Sequence, residues 1–189
     1  KNRGMGRLIL KLIWLYIPAK RSKHIIVISE TVKRELLGLV SIEPHKISVV
    51  YPPVSDRFTY APKQFPDSDH EILCIGTAPN KNLHRVIEAC ALISCTLHII
   101  GCLDQQVLTL LGKYKIKYRN SVNLTQQEVI DSYVKCDLLF FASLSEGFGL
   151  PIIEAQKVGR AVITSQLQPM LEVAGSGALM VDPYDVRDI

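Results

Sequence analysis

The sequence comprises 189 residues, of which 48% are hydrophobic and 21% charged, a composition typical of a globular protein that excludes a disordered or collagen-like chain. The formal net charge is +4, but seven basic residues and no acidic one lie within the first 24 positions. Because the rest of the chain is slightly acidic, the charge pattern argues against a nucleic-acid-binding surface, and no nucleic-acid partner is expected.

The basic N-terminal segment, residues 1–24, predicts a helix over residues 2–17. Its apolar run of ten residues includes Lys11 and is half as long as a membrane-spanning helix, so the segment is not expected to cross a membrane. A basic amphipathic helix can lie on anionic lipid, which predicts peripheral contact with the inner face of a membrane. The alternative is an ordinary helix that packs against a preceding domain. The chain has no initiator Met and no polar tail, and we expect it to be cut from a longer protein.

A first β-α unit follows this segment. Residues 24–28 predict a buried strand, and Ser29 is a suitable N-cap for a helix over residues 30–38. Residues 46–50 predict a second strand. The polar, proline-containing stretch from residue 51 to residue 70 has no periodic pattern and is interpreted as an interdomain linker. We therefore divide the chain into residues 1–52, the remnant of an N-terminal domain and the start of the linker, and residues 53–189, a second domain.

From residue 71 onward, strands and helices alternate regularly. The predicted strands are residues 71–75, 96–100, 116–118, 137–141, 161–164 and 178–181. The predicted helices are residues 82–93, 104–112, 126–135, 151–158 and 170–174. Continuous apolar strands indicate that both faces of the sheet are covered, so the fold class is α/β, a doubly wound and mostly parallel sheet. In such folds, ligands bind at the carboxyl ends of the strands.

The five cysteines are spread over the apolar stretches and form no CxxC pair. They are expected to be reduced core thiols, which is typical of a cytoplasmic protein, and no Cys and His spacing resembles a zinc site. His98 lies in a predicted core strand and is interpreted as a structural, hydrogen-bonded histidine. His84 is expected at the surface of a helix.

The stretch from Ser143 to Ala155 follows a buried strand and carries the most informative motif. Two glycines bracket Phe148 before a helix that starts near Pro151, a pattern typical of an anion site formed by close backbone approach and free helix N–H groups. Glu146 and Glu154 accept hydrogen bonds from hydroxyl groups. Together these features suit a ligand with both phosphate and sugar, such as a nucleotide sugar. The alternatives are a solvated loop acid at Glu146 and, at Glu154, an acid favoured by the helix dipole.

Glu-Gly-Phe-Gly-Leu-Pro-Ile-Ile-Glu, residues 146–154, resembles the E-x7-E signature of the GT4 retaining glycosyltransferases, which have the GT-B fold. Residues 27–31 and 46–54 look like that family's last N-domain units and crossover linker, and residues 75–82 look like the first loop of its donor domain. The resemblance implies a Rossmann-like donor-binding domain that takes a nucleoside diphosphate sugar and transfers the sugar to a glycan or lipid-linked acceptor, in a cytoplasmic enzyme of polysaccharide biosynthesis.

By the same resemblance, Glu146 contacts donor-sugar hydroxyls, Glu154 holds the ribose, and Lys81 neutralises the diphosphate. Glu146 and Lys81 are the implied catalytic residues, and neither a metal nor a cofactor is expected. The implied donor-binding residues are Gly76, Thr77, Lys81, Glu146, Gly147, Phe148, Gly149, Leu150 and Glu154. For Lys81 the alternative is a solvated lysine at a helix start.

The sequence departs from the family pattern at two positions. Thr77 stands where many relatives have an arginine, so one cation, the backbone and the Thr77 hydroxyl would hold the diphosphate. Ala161 replaces a usual proline. The family's acceptor site and catalytic histidine belong to the N-terminal domain, and the 189 residues alone are therefore expected to be inactive. The competing interpretation is a non-catalytic nucleotide-sugar-binding module. A Rossmann dehydrogenase is less favoured, because G-x-G-x-x-G does not follow the strand that ends at Ile75.

Overall fold

The computed structural model describes residue 10 and residues 12–189. The chain divides into two compact units, of which the first ends at Pro52 and the second runs from Pro53 to Ile189. The assignment of the first unit to an acceptor domain stays a prediction. In the part of the chain that the structure describes, no helix is both long and apolar enough to span a membrane.

The first unit combines short helices with a two-stranded parallel sheet. After a π-helical turn over Leu12–Tyr16, its elements are α1 (Ile17–Arg21), β1 (Ile25–Val27), α2 (Glu30–Leu39), a 3₁₀ turn (Pro44–Lys46) and β2 (Ile47–Val49). Ser29 caps α2 as predicted, because its hydroxyl oxygen accepts a hydrogen bond from the backbone N–H of Val32. The predicted helix over residues 2–17 lies largely outside the described residues.

The second unit contains a six-stranded parallel sheet and five helices, which confirms the predicted doubly wound α/β fold. Its strands are β3 (His70–Ile75), β4 (Cys95–Ile100), β5 (Lys117–Ser121), β6 (Leu138–Phe141), β7 (Ala161–Ser165) and β8 (Leu179–Val181). Its helices are α3 (Leu83–Cys90), α4 (Gln105–Lys113), α5 (Gln126–Lys135), α6 (Leu150–Val158) and α7 (Met170–Ala174).

The strand order is β5-β4-β3-β6-β7-β8. The chain runs outward from β3 to β5, returns to place β6 beside β3, and then runs outward in the opposite direction. The direction of winding therefore reverses between β3 and β6, and the loops that follow these two strands meet at the carboxyl edge of the sheet. This is the switch point at which ligands bind in open parallel sheets.

Different helices cover the two faces of the sheet. On one face, α3 and α4 pack through residues such as Val86 and Leu111. On the other face, α5, α6 and α7 pack through residues such as Ile130, Ile152 and Met170. Because both faces are buried, the central strands contain consecutive apolar residues.

Most observed boundaries lie within one residue of the predicted ones, and two elements, β5 and α3, differ by more. β5 extends to Ser121, whereas its apolar signal covered residues 116–118 only, because it is an edge strand with largely exposed polar side chains. The helix predicted over residues 82–93 is α3, which follows a 3₁₀ turn, Pro79–Lys81, and begins at Leu83 because Asn82 adopts a left-handed conformation with φ of 58°. It ends at Cys90, and Leu92 and Ile93 lie exposed in the turn that follows. The α5 boundaries match the prediction, and Thr125 and Glu128 form the expected capping box.

All five cysteines are free thiols, and four of them are buried as expected. Cys102 is exposed, because it follows Gly101 in the loop after β4. Among the described residues, no group of three or more His, Cys, Asp or Glu side chains is placed to hold a metal ion.

The segment between Pro53 and β3 has no regular structure, but it is tied to the helices of the second unit. The Lys157 ammonium donates to the carbonyl of Ser55, at 3.0 Å, and the N–H of Ala61 donates to the carbonyl of Val158. The buried Arg160 guanidinium donates to Ala61 and also to carbonyls at the end of α5. These contacts fasten the segment to the ends of α5 and α6.

Candidate functional site

The candidate site is formed by the loop after β3 and the loop after β6, at the switch point of the sheet. Gly76 follows β3 with φ of 89°, and a Cβ atom there would lie 2.8 Å from Cε of Lys81. This positive φ favours glycine, and any larger residue would also have to displace the Lys81 side chain, which crosses directly over the Gly76 backbone.

Lys81 and Glu146 contact each other directly. The Lys81 ammonium lies 2.6 Å from Oε1 of Glu146 and 4.5 Å from the centre of the Phe141 ring. The two side chains are only 20% and 15% exposed, which partly shields the ion pair from solvent. The two implied catalytic residues, which are 65 positions apart in the sequence, therefore lie together in the fold.

Asn80 joins the two loops and was missed by sequence reasoning. Its side-chain amide donates to the carbonyl of Ser145, at 2.9 Å, and to Oε1 of Glu146, at 3.2 Å. Its backbone carbonyl accepts from the N–H of Leu144, at 2.7 Å. Asn80 thus fixes the position of the Glu146 loop. The only sequence signal was an amide beside Lys81, which gave no indication of its distant partners.

Two side chains of β7 donate hydrogen bonds to the end of β6 and to the Glu146 loop, which connects β6 to α6. The hydroxyl of Thr164 donates to the carbonyl of Phe141, and that of Ser165 donates to the carbonyl of Ser143. The Ser143 hydroxyl is itself buried and has no hydrogen-bond partner among the described residues. It lines a small cavity together with Gly76 and Lys81. These supports hold the loop close to the backbone of β6 and β7.

The Glu146 loop ends at Gly149, which has φ of 118° and directly precedes α6. Pro151 lacks an N–H group, and the N–H of Ile152 donates to the carbonyl of Gly149, at 3.0 Å. The helix therefore presents fewer free N–H groups than its sequence predicted. The Phe148 side chain is buried, whereas Leu150 is exposed at the helix start.

Thr77 is placed differently from the expectation that its hydroxyl helps to hold a diphosphate. Oγ1 of Thr77 donates to the carbonyl of Cys102, at 2.7 Å, and thereby links the loops after β3 and β4. With its proton engaged in that bond, the hydroxyl cannot also donate to a phosphate oxygen. In this rotamer Thr77 has a structural contact, and its donor-binding role stays a prediction.

Glu154 is half-buried in the second turn of α6, not in the first turn as expected, because the helix starts at Leu150. Its Oε2 accepts a hydrogen bond of 2.6 Å from the hydroxyl of Tyr133 in α5. Burial raises the pKa of the Glu154 carboxyl, and the bond from Tyr133 opposes part of that rise. Among the described residues, Tyr133 is its hydrogen-bond partner, and no bond joins it to the Lys81–Glu146 pair.

Comparison with known proteins assigns the chain to a family. Residues 56–189 match the family model for glycosyl transferases group 1, which spans more than half of the chain. The chain belongs to this glycosyltransferase family. It is 32% identical over 183 residues to the O-antigen chain mannosyltransferase RfbU of Salmonella typhimurium, an alignment that covers 92% of this chain and 50% of RfbU. The chain thus spans half the length of that curated relative.

Solved structures of glycosyltransferases share this fold. Sucrose-phosphate synthase from Thermosynechococcus elongatus has a TM-score of 0.80 at 18% identity, over 99% of this chain and 51% of the synthase. HepE of Anabaena, solved in complex with UDP and glucose, has a TM-score of 0.78 at 15% identity, over 96% of this chain and 54% of HepE. At these identities the similarity establishes the fold, and it confirms the GT-B-type architecture implied by the E-x7-E motif.

Proposed function

We propose that this chain forms the donor-binding half of a retaining glycosyltransferase, which moves a sugar from a nucleoside diphosphate sugar to a glycan or lipid-linked acceptor. Membership of the glycosyltransferase family supports the reaction class. The similarity to RfbU, an O-antigen chain mannosyltransferase, supports mannose as the transferred sugar and a polysaccharide chain as the acceptor.

The observation that carries this proposal is the contact between Lys81 and Glu146 at the switch point. The Lys81 ammonium thus lies beside the Glu146 carboxylate, which accepts hydrogen bonds from hydroxyl groups. A nucleoside diphosphate sugar presents the complementary groups, because its negative phosphates lie next to sugar hydroxyls. Because the two residues come from loops after β3 and β6, their meeting requires these two strands to pair in the sheet. A solvated lysine and a solvated loop acid would not be held together in this way.

The proposed roles follow from the chemistry of each group. Lys81 neutralises the diphosphate and stabilises the charge that develops on it as the sugar departs. Glu146 accepts hydrogen bonds from the sugar, and Glu154 accepts them from the ribose, because a carboxylate has acceptors only. Gly147 and Gly149 allow the backbone to approach the ligand closely. With these groups the proposed site uses neither a divalent metal nor a cofactor.

The diphosphate would share Lys81 with Glu146. Glu146 engages one of the three donors of the Lys81 ammonium, and the Thr77 hydroxyl donates to Cys102. The diphosphate therefore competes with a carboxylate for a single lysine. This competition predicts nucleotide affinity in the micromolar to millimolar range.

Calorimetric titration of the chain with UDP, GDP, dTDP and ADP, and then with GDP-mannose and UDP-glucose, tests the proposal. We expect one nucleotide to bind and its sugar-bearing form to bind more tightly. Lys81→Ala should abolish most of this binding, whereas Lys117→Ala, which removes an exposed lysine on the edge strand, should not. Absence of heat and of any shift in melting temperature with all four nucleotides overturns the donor-site proposal.

We also propose a cytoplasmic protein that contacts the inner face of a membrane through residues 1–24. In the described part of this segment, Leu12, Ile13 and Trp14 are exposed, Trp14 by 78%, and the basic residues Lys20 and Arg21 follow. Cosedimentation with anionic phosphatidylglycerol vesicles, and not with phosphatidylcholine vesicles, is the expected result. Equal recovery with both vesicle types, or no binding, favours the alternative of a helix that packs against another domain.

A further inference from the structure

The environment of Tyr133 shows how the fold controls one side of the candidate site. Tyr133 is fully buried in α5, and its hydroxyl donates to Oε2 of Glu154 in α6, at 2.6 Å. A buried tyrosine hydroxyl requires a polar partner, and here that partner is the carboxylate of the second glutamate of the E-x7-E motif. The bond joins two helices on the same face of the sheet.

The Tyr133 ring and backbone are both fixed in place. Phe58 packs against the ring edge-to-face, with 5.5 Å between the ring centroids. The backbone carbonyl of Tyr133 accepts a hydrogen bond from Nε of the buried Arg160, at 3.0 Å, and one from the thiol of Cys136. Because packing and hydrogen bonds fix the ring, the direction of the hydroxyl group towards α6 is determined by the fold and not by Glu154.

We propose that Tyr133 is a positioning residue for Glu154, which it holds by one carboxylate oxygen so that the other oxygen, Oε1, is presented to the ribose hydroxyls of the donor. This role deepens the proposed function and rests on it. Oε1 has no hydrogen-bond partner among the described residues and can accept from a ligand. A carboxylate with one oxygen anchored loses less rotational freedom when the ligand binds than a free side chain does.

The same bond affects the protonation of Glu154. Burial raises the pKa of Glu154, and the Tyr133 hydrogen bond lowers it again in part. Burial also raises the pKa of Tyr133 well above its usual range, so the phenol keeps its proton and remains the donor. Tyr133 is the titratable group that contacts Glu154 from α5, and burial is the other influence on the pKa of Glu154. Removal of the Tyr133 hydroxyl should therefore leave Glu154 protonated up to a higher pH.

The first test compares Tyr133→Phe, Glu154→Gln and the double variant by titration with the nucleoside diphosphate that wild type binds. Tyr133→Phe should bind up to about tenfold more weakly at pH 7, because binding must then also immobilise the Glu154 side chain. On a plot of nucleotide affinity against pH, the fall in affinity on the acidic side, called here the acid limb, should also move to higher pH. In the Glu154→Gln background, Tyr133→Phe should cause no further shift of this limb. Tyr118→Phe, on the exposed edge strand, is the control and should match wild type.

An equal loss of affinity in both backgrounds, or an unmoved acid limb, overturns the positioning role in favour of a structural one. Incorporation of 3-fluorotyrosine at position 133 provides a second variant in which no atom is removed from the core. Its more acidic hydroxyl should move the acid limb in the opposite direction, to lower pH, and no movement overturns the role.

The second test needs no nucleotide. NMR titration of ¹³C-labelled glutamate side chains, in ligand-free protein, should show a higher pKa for Glu154 in Tyr133→Phe than in wild type. An unchanged value overturns the role of Tyr133 whether or not any nucleotide binds. Absence of nucleotide binding to wild type, together with the expected NMR shift, overturns the proposed function and leaves the effect of Tyr133 on Glu154 established.

Discussion

The carboxyl group of Glu154, which is proposed to bind the ribose, is half-buried, and this burial makes the stability of the fold depend on pH. A carboxyl whose pKa is higher in the folded than in the unfolded chain stabilises the fold at low pH, and that stabilisation is lost as the pH rises through the folded pKa. Burial raises the pKa of Glu154 in this way, above the ordinary value of 4.5. At neutral pH the ionised group therefore weakens the fold.

We predict that Glu154→Gln unfolds at a higher temperature than wild type at pH 7, because it removes a half-buried charge and keeps an oxygen that can accept from Tyr133. The advantage should shrink as the pH falls from 7 towards 4.5, where Glu154 becomes protonated. Thermal unfolding followed by circular dichroism over this range measures the difference. Glu35→Gln, at an exposed position in α2, is the control. A gap that stays constant with pH would contradict the assigned shift.

Glu146 and Glu154 are proposed to contact different parts of the donor, and their substitutions should therefore have different effects on binding. Glu146→Gln releases Lys81 from its ion pair, so it should bind the bare nucleoside diphosphate at least as tightly as wild type but lose the increment in affinity that the sugar contributes. Glu154→Ala should instead weaken binding of the bare nucleotide, by roughly 1.5 to 3 kcal/mol for a lost charged acceptor. Calorimetry with matched nucleotide and nucleotide-sugar pairs measures both. Similar losses on the bare nucleotide in the two variants would be incompatible with these roles.

At the scale of elements, a polar cluster crosses the strands β3, β4 and β5. The Arg119 guanidinium donates to Oε1 of Glu71 and, at 3.0 Å, to Nδ1 of His98. Because a guanidinium has donors only, Nδ1 must accept, and the Nε2 of His98 carries the proton that is donated to the Ser121 hydroxyl, at 3.0 Å. This arrangement requires a neutral imidazole, which agrees with the structural role expected for His98.

The cluster predicts an acid-sensitive edge of the sheet. Burial and the neighbouring Arg119 lower the pKa of His98 below 6.5, although Glu71 opposes this. A histidine with a lowered folded pKa is protonated more readily in the unfolded chain, so stability is lost as the pH falls below 6.5. Urea unfolding between pH 7 and pH 5 should show this loss in wild type and a flatter profile in His98→Gln. His84→Gln, on the exposed side of α3, should retain the wild-type slope.

Arg160 connects three elements and predicts a large stability effect. Its buried guanidinium donates to the carbonyls of Tyr133 and Val134 near the end of α5 and to that of Ala61 in the segment before β3. Arg160→Ala leaves these carbonyls without donors and creates a void, so we expect a loss of roughly 2 to 4 kcal/mol in the free energy of unfolding. Urea denaturation measures it. Arg57→Ala, which removes an exposed arginine from the same segment, should change stability by less than about 0.5 kcal/mol. Comparable effects of the two changes would refute the fastening role.

Secondary structure could be predicted where side chains signal their own element. The capping box at Thr125 and Glu128 involves residues three positions apart, and the buried strands are continuous apolar runs, so both are visible in the sequence. The signal failed at β5, because an exposed edge strand needs no apolar pattern. It also failed at the end of α3, because Leu92 and Ile93 continue the apolar pattern of the predicted helix but lie exposed in a turn after Cys90.

At the scale of the whole molecule, the residues of the candidate site could likewise be predicted only where their signal is local in the sequence. Glu146 and Glu154 were identified because they lie within one short motif. Asn80 and Tyr133 were missed, because their partners lie 66 and 21 positions away in the sequence. The pairing of such residues depends on the strand order, which places β6 beside β3, and no local pattern reports that order. Sequence reasoning thus identified residues proposed to touch the donor but not those that position them.

The relation between this chain and its longer relative leads to a prediction about activity. The alignment covers half of RfbU, so the other half of RfbU has no counterpart within these 189 residues. Holding a donor and an acceptor together in one site can lower a barrier by about 7 to 11 kcal/mol, and the proposed site provides for the donor alone. We therefore expect the 189-residue chain to transfer no sugar at ordinary enzymatic rates.

Slow hydrolysis of the donor is still expected, because Lys81 can stabilise the departing diphosphate without an acceptor. Incubation of the chain with the radiolabelled nucleotide sugar that binds in calorimetry, with and without lipid or glycan acceptors, measures transfer and hydrolysis together. Lys81→Ala should abolish the hydrolysis, and Lys117→Ala should not. Addition of a separately produced N-terminal half of RfbU tests whether transfer can be restored in trans. Transfer by the chain alone would place the acceptor site within residues 1–189 and contradict the assignment of this chain to the donor half.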